Sequence, residues 1–270
     1  MSELSGTTFL ITGANTGIGR ATAVELAERG GRVVLACRSE EKTRPVIDDI
    51  VRTTGDTDVE FLPLDLADLE SVRAAAAAFD EPLHVLVNNA GVAGQRGQTK
   101  QGFELAFGIN HLGHFLFTNL LLDRLLETKG RVINVSSDSH YSPKAIDWDG
   151  LQRPTKSVTG LPEYGVSKLC NVLHAQELAR RVDGVTTASL HPGVIASDVW
   201  RRVPFPVRSI MKLFMKSTTD GARTSVHCAT TPDLANGAFY TNEREKAPSK
   251  VATPDLAAEL WRRSEAWVAA

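Results

Sequence analysis

A glycine-rich stretch near the amino terminus constrains the fold of this 270-residue chain more than any other feature. It reads Thr-Gly-Ala-Asn-Thr-Gly-Ile-Gly over residues 12–19, between an apolar run and a segment with helical periodicity. A strand, a glycine-rich turn and a helix in this order present unpaired backbone N–H groups to a phosphate. Gly13 fits a tight turn, Gly17 a close backbone approach, and Gly19 the packing of helix on strand. A plain surface turn is the alternative, because the spacing G-x-x-x-G-x-G differs from the more familiar G-x-G-x-x-G.

The composition is ordinary for a globular protein with a substantial core, since 42% of the residues are hydrophobic and 23% are charged. A formal net charge of −2 argues against a general affinity for nucleic acid. Three scattered cysteines, at 37, 170 and 228, indicate reduced thiols and a cytoplasmic location. Residues 1–6 lack the basic and apolar regions of a signal peptide, and no stretch approaches the roughly 20 apolar residues of a membrane span.

Apolar strand-like runs alternate with helix-like runs along the whole chain. Repeated strand–helix units build a parallel sheet that is covered by helices on both faces. We therefore predict an α/β fold with a doubly wound parallel sheet of about seven strands, in a single domain over residues 1–270. The predicted strands are 7–12, 32–37, 58–64, 83–88, 130–136, 185–191 and 237–240, and the predicted helices are 17–29, 40–53, 68–79, 102–128, 162–182, 218–230 and 255–268.

Two stretches fit this alternation poorly. Residues 138–161 are polar and contain prolines and glycines, which predicts a long loop or short helices. Residues 203–216 mix large apolar side chains with basic ones, which favours a substrate lid at about 196–217. A dimer contact or a shallow contact with a membrane surface is the alternative. Trp200 fits either a packing role or a substrate contact.

The ends of the predicted strands carry the distinctive residues, and ligands of open parallel sheets bind there. The second strand ends without an acidic residue, and Arg38 offers a guanidinium suited to a 2′-phosphate, although it could also be a solvated side chain. Asp65 and Leu66 close the third strand, where they could meet an adenine edge. Asn88-Asn89-Ala90-Gly91 closes the fourth strand with small residues that let a cofactor pass, although a plain turn is the alternative.

A serine pair and a tyrosine–lysine pair follow the fifth strand. Ser136-Ser137 ends that strand, and the next predicted helix carries Tyr164 and Lys168 four residues apart on one face. A phenol with a pKa of about 10 is a poor base at neutral pH, but a nearby ammonium favours the phenolate. Tyr164 is therefore the candidate general acid–base, with a serine hydroxyl to fix the substrate oxygen. Tyrosine and lysine often occur at this spacing by chance. The pair is informative here because it follows a segment with the strand and turn pattern of a nucleotide-binding site.

Two competing interpretations concern histidines. His111 and His114 are three residues apart, a spacing compatible with a metal site, but no acidic or cysteine partner is evident nearby. We expect packing or polar roles for them and no metal. Ser136 or Ser137 with His140 could suggest nucleophilic catalysis, but no glycine-flanked nucleophile elbow surrounds either serine.

Taken together, these motifs resemble the short-chain dehydrogenase/reductase family, whose fold is Rossmann-type. The matches run from residue 7 to about 200 in the family's order, and the likeness is greatest to the retinol dehydrogenase branch. The family motifs are Thr12-Gly13-x-x-x-Gly17-Ile18-Gly19, Asp65-Leu66, Asn88-Asn89-Ala90-Gly91, Asn110, Ser137, Tyr164-x-x-x-Lys168 and Pro192-Gly193. The branch likeness lies in residues 36–38, 110–115, 134–137, 167–173 and 191–194.

The resemblance implies a catalytic role for each of four residues. Tyr164 would exchange a proton with the substrate oxygen, and Lys168 would lower the pKa of that tyrosine and bind the nicotinamide ribose. Ser137, which matches the family's pattern where Ser136 does not, would hydrogen-bond the substrate oxygen. Asn110 would hold a water molecule in a proton relay. The interval between Ser137 and Tyr164 is longer than in the simplest members, as in the retinol dehydrogenase branch.

The resemblance also implies a nicotinamide cofactor, with NADP(H) favoured over NAD(H) because of Arg38. Thr16 departs from the family pattern, since NADP-dependent members often have a basic residue there. Ser197 stands where the family has a threonine that binds the carboxamide. The implied cofactor-binding residues are Gly13, Asn15, Thr16, Gly17, Ile18, Gly19, Arg38, Asp65, Leu66, Asn88, Ala90, Gly91, Tyr164, Lys168, Pro192, Gly193 and Ser197.

The expected function is hydride transfer between NADP(H) and an alcohol or carbonyl group of an apolar small molecule, such as a retinoid or a steroid. The resemblance implies a homodimer or homotetramer formed through the helices near 102–128 and 162–182. Reduction of a carbon–carbon double bond is one alternative function. A non-catalytic NADP-binding sensor is another, although such a protein has no need of the activated phenol that Ser137, Tyr164 and Lys168 would provide.

Overall fold

The alternating apolar runs form one eight-stranded sheet in the computed structural model, which describes residues 2–55, 58–193 and 217–269. The strand order is β3-β2-β1-β4-β5-β6-β7-β8, and every pair is parallel except β7 with β8. The predicted doubly wound α/β class is confirmed. The strands are β1 (Thr8–Thr12), β2 (Arg32–Cys37), β3 (Val59–Pro63), β4 (Val85–Asn88), β5 (Arg131–Val135), β6 (Thr186–His191), β7 (Ala238–Thr241) and β8 (Arg244–Glu245).

Helices cover both faces of this sheet because successive strand residues are apolar on both sides. Phe9 and Ile11 pack with the first, second and eighth helices, whereas Leu10 packs with the third, fifth, seventh and ninth helices on the opposite face. None of the described helices is both long and apolar enough to span a bilayer. The helices are α1 (Gly17–Glu28), α2 (Glu40–Thr54), α3 (Leu69–Ala78), α4 (Leu105–Phe107), α5 (Gly113–Leu120), α6 (Leu122–Glu127), α7 (Leu161–Arg181), α8 (Thr218–Thr230) and α9 (Pro254–Ala269).

The eighth strand exceeds the predicted number of about seven. β8 is two residues long and returns antiparallel to β7, with Thr241 paired to Arg244. Asn242 and Glu243 between them have positive φ angles of 49° and 63°. A two-residue turn with both central residues at positive φ is the type that matches the twist of a hairpin. β8 was not predicted from the sequence, because glutamate is an unusual residue in such a turn.

The helix predicted at 102–128 is divided into shorter pieces. A five-residue π-helix, Gly108–Leu112, separates α4 from α5, and Leu121 separates α5 from α6. Single turns of π-helix occur frequently at functional sites. This one contains Asn110, so the irregular turn carries a predicted site residue.

The polar stretch predicted as a loop or short helices contains two short 3-10 helices, Asp138–Tyr141 and Gly150–Gln152. The buried carboxylate of Glu104 anchors the stretch that follows them. Its Oε2 accepts a hydrogen bond from the Phe107 N–H at 2.7 Å, and its Oε1 accepts one from the Thr155 hydroxyl at 2.5 Å. Burial raises the pKa of the Glu104 carboxyl against the effect of these hydrogen bonds.

Replacing Glu104 by alanine should lower the free energy of unfolding by about 3 kcal/mol, because the Phe107 N–H and the Thr155 hydroxyl lose their buried acceptor and a cavity opens. Urea denaturation of both proteins measures this difference. Glu70→Ala is the control, since the Glu70 side chain on α3 is 74% exposed, and its effect should stay within about 0.5 kcal/mol. Equal losses in the two variants would contradict an anchoring role for Glu104.

Candidate active site

Four parallel strands end along one edge of the sheet, around the point at which the strand order reverses. β1 and β4 are neighbours there, and β2 and β5 flank them. A crevice beyond the carboxyl ends of strands at such a reversal is the usual ligand site of open parallel sheets. Predicted site residues at 12–19, 38, 88–91 and 136–137 lie at or directly beyond these four strand ends.

The glycine-rich turn leaves β1 and starts α1 with two glycines in the left-handed region. Gly13 has a φ of 66° and Gly17 a φ of 59°, a conformation that other residues adopt rarely. A Cβ on Gly13 would lie 2.9 Å from Ala90 Cα, and a Cβ on Gly19 would lie 2.6 Å from the Gly13 carbonyl oxygen. Larger residues at these two positions would displace the turn or the loop after β4. No acidic side chain occupies the first turn of α1, which leaves its positive end suited to an anion.

Buried hydrogen bonds around Thr12 join this turn to the loop after β4. Thr12 Oγ1 accepts from the N–H groups of Asn89 and Ala90, both at 2.9 Å, and lies 2.8 Å from His114 Nε2. His114 Nδ1 lies 3.0 Å from the Asn110 carbonyl oxygen, so this nitrogen carries the proton, because a carbonyl only accepts. Burial lowers the pKa of His114 to about 3. The ring is therefore neutral, and Thr12 donates to Nε2.

The sequence analysis assigned no individual role to Thr12 and gave His114 only a packing or polar role. His111 has a different partner from His114, since its Nε2 lies 3.1 Å from Ser264 Oγ. Burial, reinforced by the neighbouring histidines, lowers the pKa of His111 well below its usual value. Within the described residues, no group of three or more His, Cys, Asp or Glu side chains could hold a metal ion.

The ends of β2 and β3 differ in exposure. Arg38 is exposed and lies directly beyond the end of β2. Asp65 Oδ1 accepts a hydrogen bond from the Ala67 N–H at 3.0 Å, so this carboxylate shapes its own turn. Leu66 is buried and packs in the core on the α3 side.

Asn88 lies at the last position of β4 with its side chain in the interior. Its Nδ2 donates to Thr118 Oγ1 and to Asn134 Oδ1, both at 2.9 Å. The alternation of side chains along a strand explains this direction. The structure thus separates Asn88 from Ala90 and Gly91, which form the loop at the crevice. A Cβ on Gly91 would lie 3.4 Å from Lys168 Nζ, so this glycine leaves room beside the lysine.

Asn110 is fixed on three sides by the π-helix and its neighbours. Its Oδ1 accepts from the Val92 N–H at 2.8 Å, and its Nδ2 donates to the Val92 carbonyl at 3.0 Å and to Ser167 Oγ at 2.9 Å. Ser167 Oγ in turn donates to the Tyr164 carbonyl at 2.8 Å. The side chain of Asn110 therefore connects the loop after β4 to the helix that carries Tyr164.

Ser137, Tyr164 and Lys168 lie together where β5 and α7 meet. The Ser137 side chain is near enough to the Tyr164 phenol to lower its pKa, and Lys168 Nζ lies 5.7 Å from the centroid of the Tyr164 ring. Lys168 Nζ also donates to the Val135 carbonyl at 2.8 Å. The neighbouring Ser136 points elsewhere, since its hydroxyl donates to the Lys168 carbonyl at 2.7 Å. Only the second serine of the pair faces the phenol.

Burial dominates the electrostatics of this group. It raises the pKa of the Tyr164 phenol, and the hydrogen bond with Ser137 opposes that rise. It also lowers the pKa of Lys168 to about 7. Burial thus determines the direction of the tyrosine pKa and also makes the lysine easily deprotonated, and the lowering of the tyrosine pKa by the ammonium stays a prediction.

His140 does not face the Ser137 hydroxyl as a nucleophile's base would. Its Nδ1 lies 2.7 Å from the Ser137 carbonyl oxygen, which is consistent with the case against nucleophilic catalysis. Gly193, which follows Pro192 beyond β6, has a φ of 98°. Ser197, Trp200 and the predicted lid at 196–217 lie outside the described residues, apart from Ser217, the N-cap of α8.

Comparison with known proteins identifies the family. The family model described as short chain dehydrogenase matches residues 7–146. Retinol dehydrogenase 11 of Homo sapiens is 46% identical over 241 residues, an alignment that covers 86% of this chain and 75% of that protein. The chain belongs to the short-chain dehydrogenase/reductase family of oxidoreductases and resembles its retinol dehydrogenase branch, which confirms the family predicted from the motifs.

Solved structures show the same likeness in three dimensions. An uncharacterized protein from Mycobacterium Paratuberculosis is 32% identical, with a TM-score of 0.79 over 98% of this chain and 94% of that chain. A short-chain dehydrogenase from Sphingobium yanoikuyae, solved in complex with NADPH, is 22% identical, with a TM-score of 0.66 over 82% of this chain and 83% of that chain. The predicted Rossmann-type fold is confirmed.

The lowered pKa of Lys168 predicts a pH-dependent cost to stability. The folded protein holds a neutral lysine above pH 7, whereas the unfolded chain stays protonated to about pH 10.5, so the stability of the wild type should rise with pH between these values. Lys168→Met should therefore be more stable than the wild type at pH 6, by a few kcal/mol, with a gap that narrows as pH rises towards 10. The Val135 carbonyl keeps a partner in this variant, because Asn171 also donates to it.

Chemical denaturation of both proteins across pH 6–10 measures that gap. Lys250→Met is the control, because Lys250 is exposed and its replacement should leave the pH dependence unchanged. A constant difference between Lys168→Met and the wild type over this range would show that Lys168 remains protonated in the fold.

Proposed function

We propose that this protein transfers hydride between NADP(H) and an alcohol or carbonyl group of an apolar small molecule, with Tyr164 as the general acid–base. One observation carries the proposal: Ser137 and Lys168 converge on the buried phenol of Tyr164 at the carboxyl end of β5. An interior phenol with a hydroxyl on one side and a titratable ammonium on the other is suited to giving and taking a proton. A protein that only binds a nucleotide has no need of this arrangement.

Each residue of this group has a proposed task. Ser137 would hold the substrate oxygen beside the phenol, whose pKa the same side chain lowers. Tyr164 would donate its proton to that oxygen in the reductive direction and recover it in the oxidative one. Lys168, with a pKa near 7, would stabilise the phenolate when it is protonated. Asn110 would support this group by fixing Ser167 and the start of α7, and it would hold the relay water implied by the resemblance.

The residues around the crevice fit a dinucleotide. Gly13 and Gly19 leave no room for a Cβ, and Gly91 keeps the space beside Lys168 free of a side chain. The N–H groups at the start of α1 would hold the pyrophosphate, and Arg38 would bind a 2′-phosphate. When bound, NADPH supplies the hydride. The NADPH bound to the Sphingobium yanoikuyae neighbour supports a nicotinamide cofactor, and the preference for NADP(H) over NAD(H) depends on Arg38.

An apolar substrate is supported by the resemblance to the retinol dehydrogenase branch and by the rim of the site. Leu161 begins α7, three residues before Tyr164, and Val158 lies three residues before Leu161; both side chains are apolar and exposed. A lid at about 196–217, with Ser197 on the carboxamide, would complete this site and stays a prediction. A single domain, a homodimer or homotetramer and a cytoplasmic location likewise stay predictions of the sequence.

Replacing Tyr164 by phenylalanine should leave NADPH binding within about threefold and reduce turnover by a factor of about 100 or more, because only the exchangeable proton is removed. Loss of NADPH absorbance with a panel of aldehydes and ketones measures turnover, and fluorescence titration measures binding. Tyr240→Phe is the matched control, since Tyr240 is also buried and its hydroxyl accepts from the Ala235 N–H, on β7 and two strands away from β5. Turnover by Tyr164→Phe at the wild-type rate would refute the mechanism.

The same assay separates the alternative functions by its products. An alcohol product supports the proposal, whereas a saturated bond next to an intact carbonyl would indicate reduction of a carbon–carbon double bond. Binding of NADPH without turnover of any compound in the panel would favour a sensor.

Arg38→Ala should weaken NADPH binding by about 10- to 100-fold and leave NADH binding nearly unchanged, because a charge-assisted contact to the 2′-phosphate contributes roughly 1.5–3 kcal/mol. Fluorescence titration with each cofactor gives the two dissociation constants. Arg44→Ala provides the control, since Arg44 is exposed on α2 and ion-paired with Glu40. Equal weakening of both cofactors by Arg38→Ala would remove the basis for the NADP(H) preference.

A further inference from the structure

His140 is a buried histidine that the proposed chemistry does not use. It lies in the short 3-10 helix directly after Ser137, and its side chain is completely buried. Its Nδ1 is 2.7 Å from the Ser137 carbonyl oxygen, and its Nε2 is 3.1 Å from the Ser249 backbone nitrogen. A carbonyl only accepts and a backbone N–H only donates, so the ring is the neutral Nδ1–H tautomer. Burial, which lowers the pKa of His140, favours the same neutral form.

The Nδ1–H bond acts on the backbone that presents the Ser137 hydroxyl. The Ser137 carbonyl also accepts from the backbone N–H of His140 at 3.0 Å, so the same residue holds it twice. The Ser139 N–H donates to Ser137 Oγ at 3.2 Å, and the Ser137 hydroxyl donates in turn to Ser139 Oγ at 3.2 Å. The direction of the serine hydroxyl is therefore set by a turn whose carbonyl is fixed from the interior.

The second ring nitrogen of His140, Nε2, contacts the C-terminal part of the chain. Ser249 lies in the segment between β8 and α9, more than 100 residues from His140, and its N–H donates to Nε2. The ring also packs against Phe239 of β7, with centroids 4.5 Å apart. Tyr141, the next residue, donates its hydroxyl to the Ala247 carbonyl at 2.6 Å. The turn after β5 is thus joined to the 247–249 segment by two separate side chains.

We propose that His140 is a positioning residue for Ser137: its Nδ1–H fixes the Ser137 carbonyl, and its Nε2 ties that turn to the Ser249 backbone, so that Ser137 Oγ stays beside the Tyr164 phenol. This inference rests on the proposed function, in which Ser137 holds the substrate oxygen. In this proposal His140 acts through Ser137 and exchanges no proton in the reaction.

Two substitutions distinguish the effect of the Nδ1 hydrogen bond from that of the Nε2 hydrogen bond. His140→Phe keeps an aromatic ring but removes both hydrogen bonds, and kcat should fall by about 10- to 100-fold through misplacement of the serine hydroxyl, with NADPH binding unchanged. His140→Asn can place an amide N–H near the position of Nδ1 but does not reach Ser249, so its kcat should stay within about threefold of the wild type. Tyr141→Phe is the control, because it removes a bond to the same C-terminal segment without touching Ser137.

A double-mutant cycle distinguishes positioning from a general structural effect. In a Ser137→Ala background, His140→Phe should cause little further loss of kcat, because the hydroxyl that it positions is already absent. Additive losses would overturn the proposal. So would wild-type kcat in His140→Phe, or a loss in Tyr141→Phe or His140→Asn as large as that in His140→Phe.

Amide hydrogen exchange gives a result that does not depend on turnover. Exchange of the Ser139 amide reports its bond to Ser137 Oγ. It should accelerate about tenfold or more in His140→Phe and stay near the wild-type rate in His140→Asn. Exchange of the Ser249 amide should accelerate in both variants. An unchanged Ser139 rate in His140→Phe would overturn the proposal even if no carbonyl substrate is turned over. Should His140→Phe fail to fold, the opposite responses of Ser139 and Ser249 in His140→Asn still decide it. Absence of turnover in the wild type, by contrast, refutes the proposed function alone.

Discussion

The hydroxyl of Thr12 is the contact on which the geometry of the crevice depends. It accepts from two consecutive N–H groups, of Asn89 and Ala90, and donates to a histidine that is held neutral by burial. Through these bonds the end of β1, the loop after β4 and the π-helix around Asn110 form one rigid unit. Gly13 approaches Ala90 closely. This approach requires the glycine-rich turn after β1 and the loop after β4 to keep fixed positions relative to each other, which the bonds of Thr12 provide. A buried polar group with all its partners satisfied specifies one arrangement.

The interior polar groups near the crevice fall into two kinds, and desolvation distinguishes them. His114 and His140 stay neutral, and each ring joins two backbone or hydroxyl partners, so burial costs little and the bonds position loops. Lys168 differs, because burial brings its pKa to about 7 while its ammonium retains a hydrogen bond to the Val135 carbonyl. A group that can gain or lose a proton near neutral pH is expensive to bury and useful for chemistry. The fold therefore combines rigid neutral histidines with one labile cation beside the phenol.

The sequence could predict those parts of the site that follow from local pattern. Apolar runs gave the seven parallel strands, and the glycine spacing gave the turn at the end of β1, because both signals lie within a few adjacent residues. Long-range side-chain bonds could not be predicted: Thr12 and His114 are 102 positions apart, and His140 and Ser249 are 109 apart. The interior direction of Asn88 was available from the alternation along β4, but its motif suggested the crevice instead. The π-helix at Asn110 leaves no distinct composition in a segment that is otherwise helical.

The C-terminal segment changes how the site should be understood. The residues with proposed roles in the described chain lie between 13 and 193, and the family model matches only residues 7–146, so the crevice could be taken as a property of the first two thirds of the chain. The bonds of His140 and Tyr141 to the 247–249 segment contradict that view, because they join the turn that follows Ser137 to the C-terminal part of the chain. Packing of α9 on α7 in the same core cluster adds a second link. The placement of the serine and of the tyrosine helix thus depends on residues that have no chemical role, and substitutions there should act on the site through geometry alone.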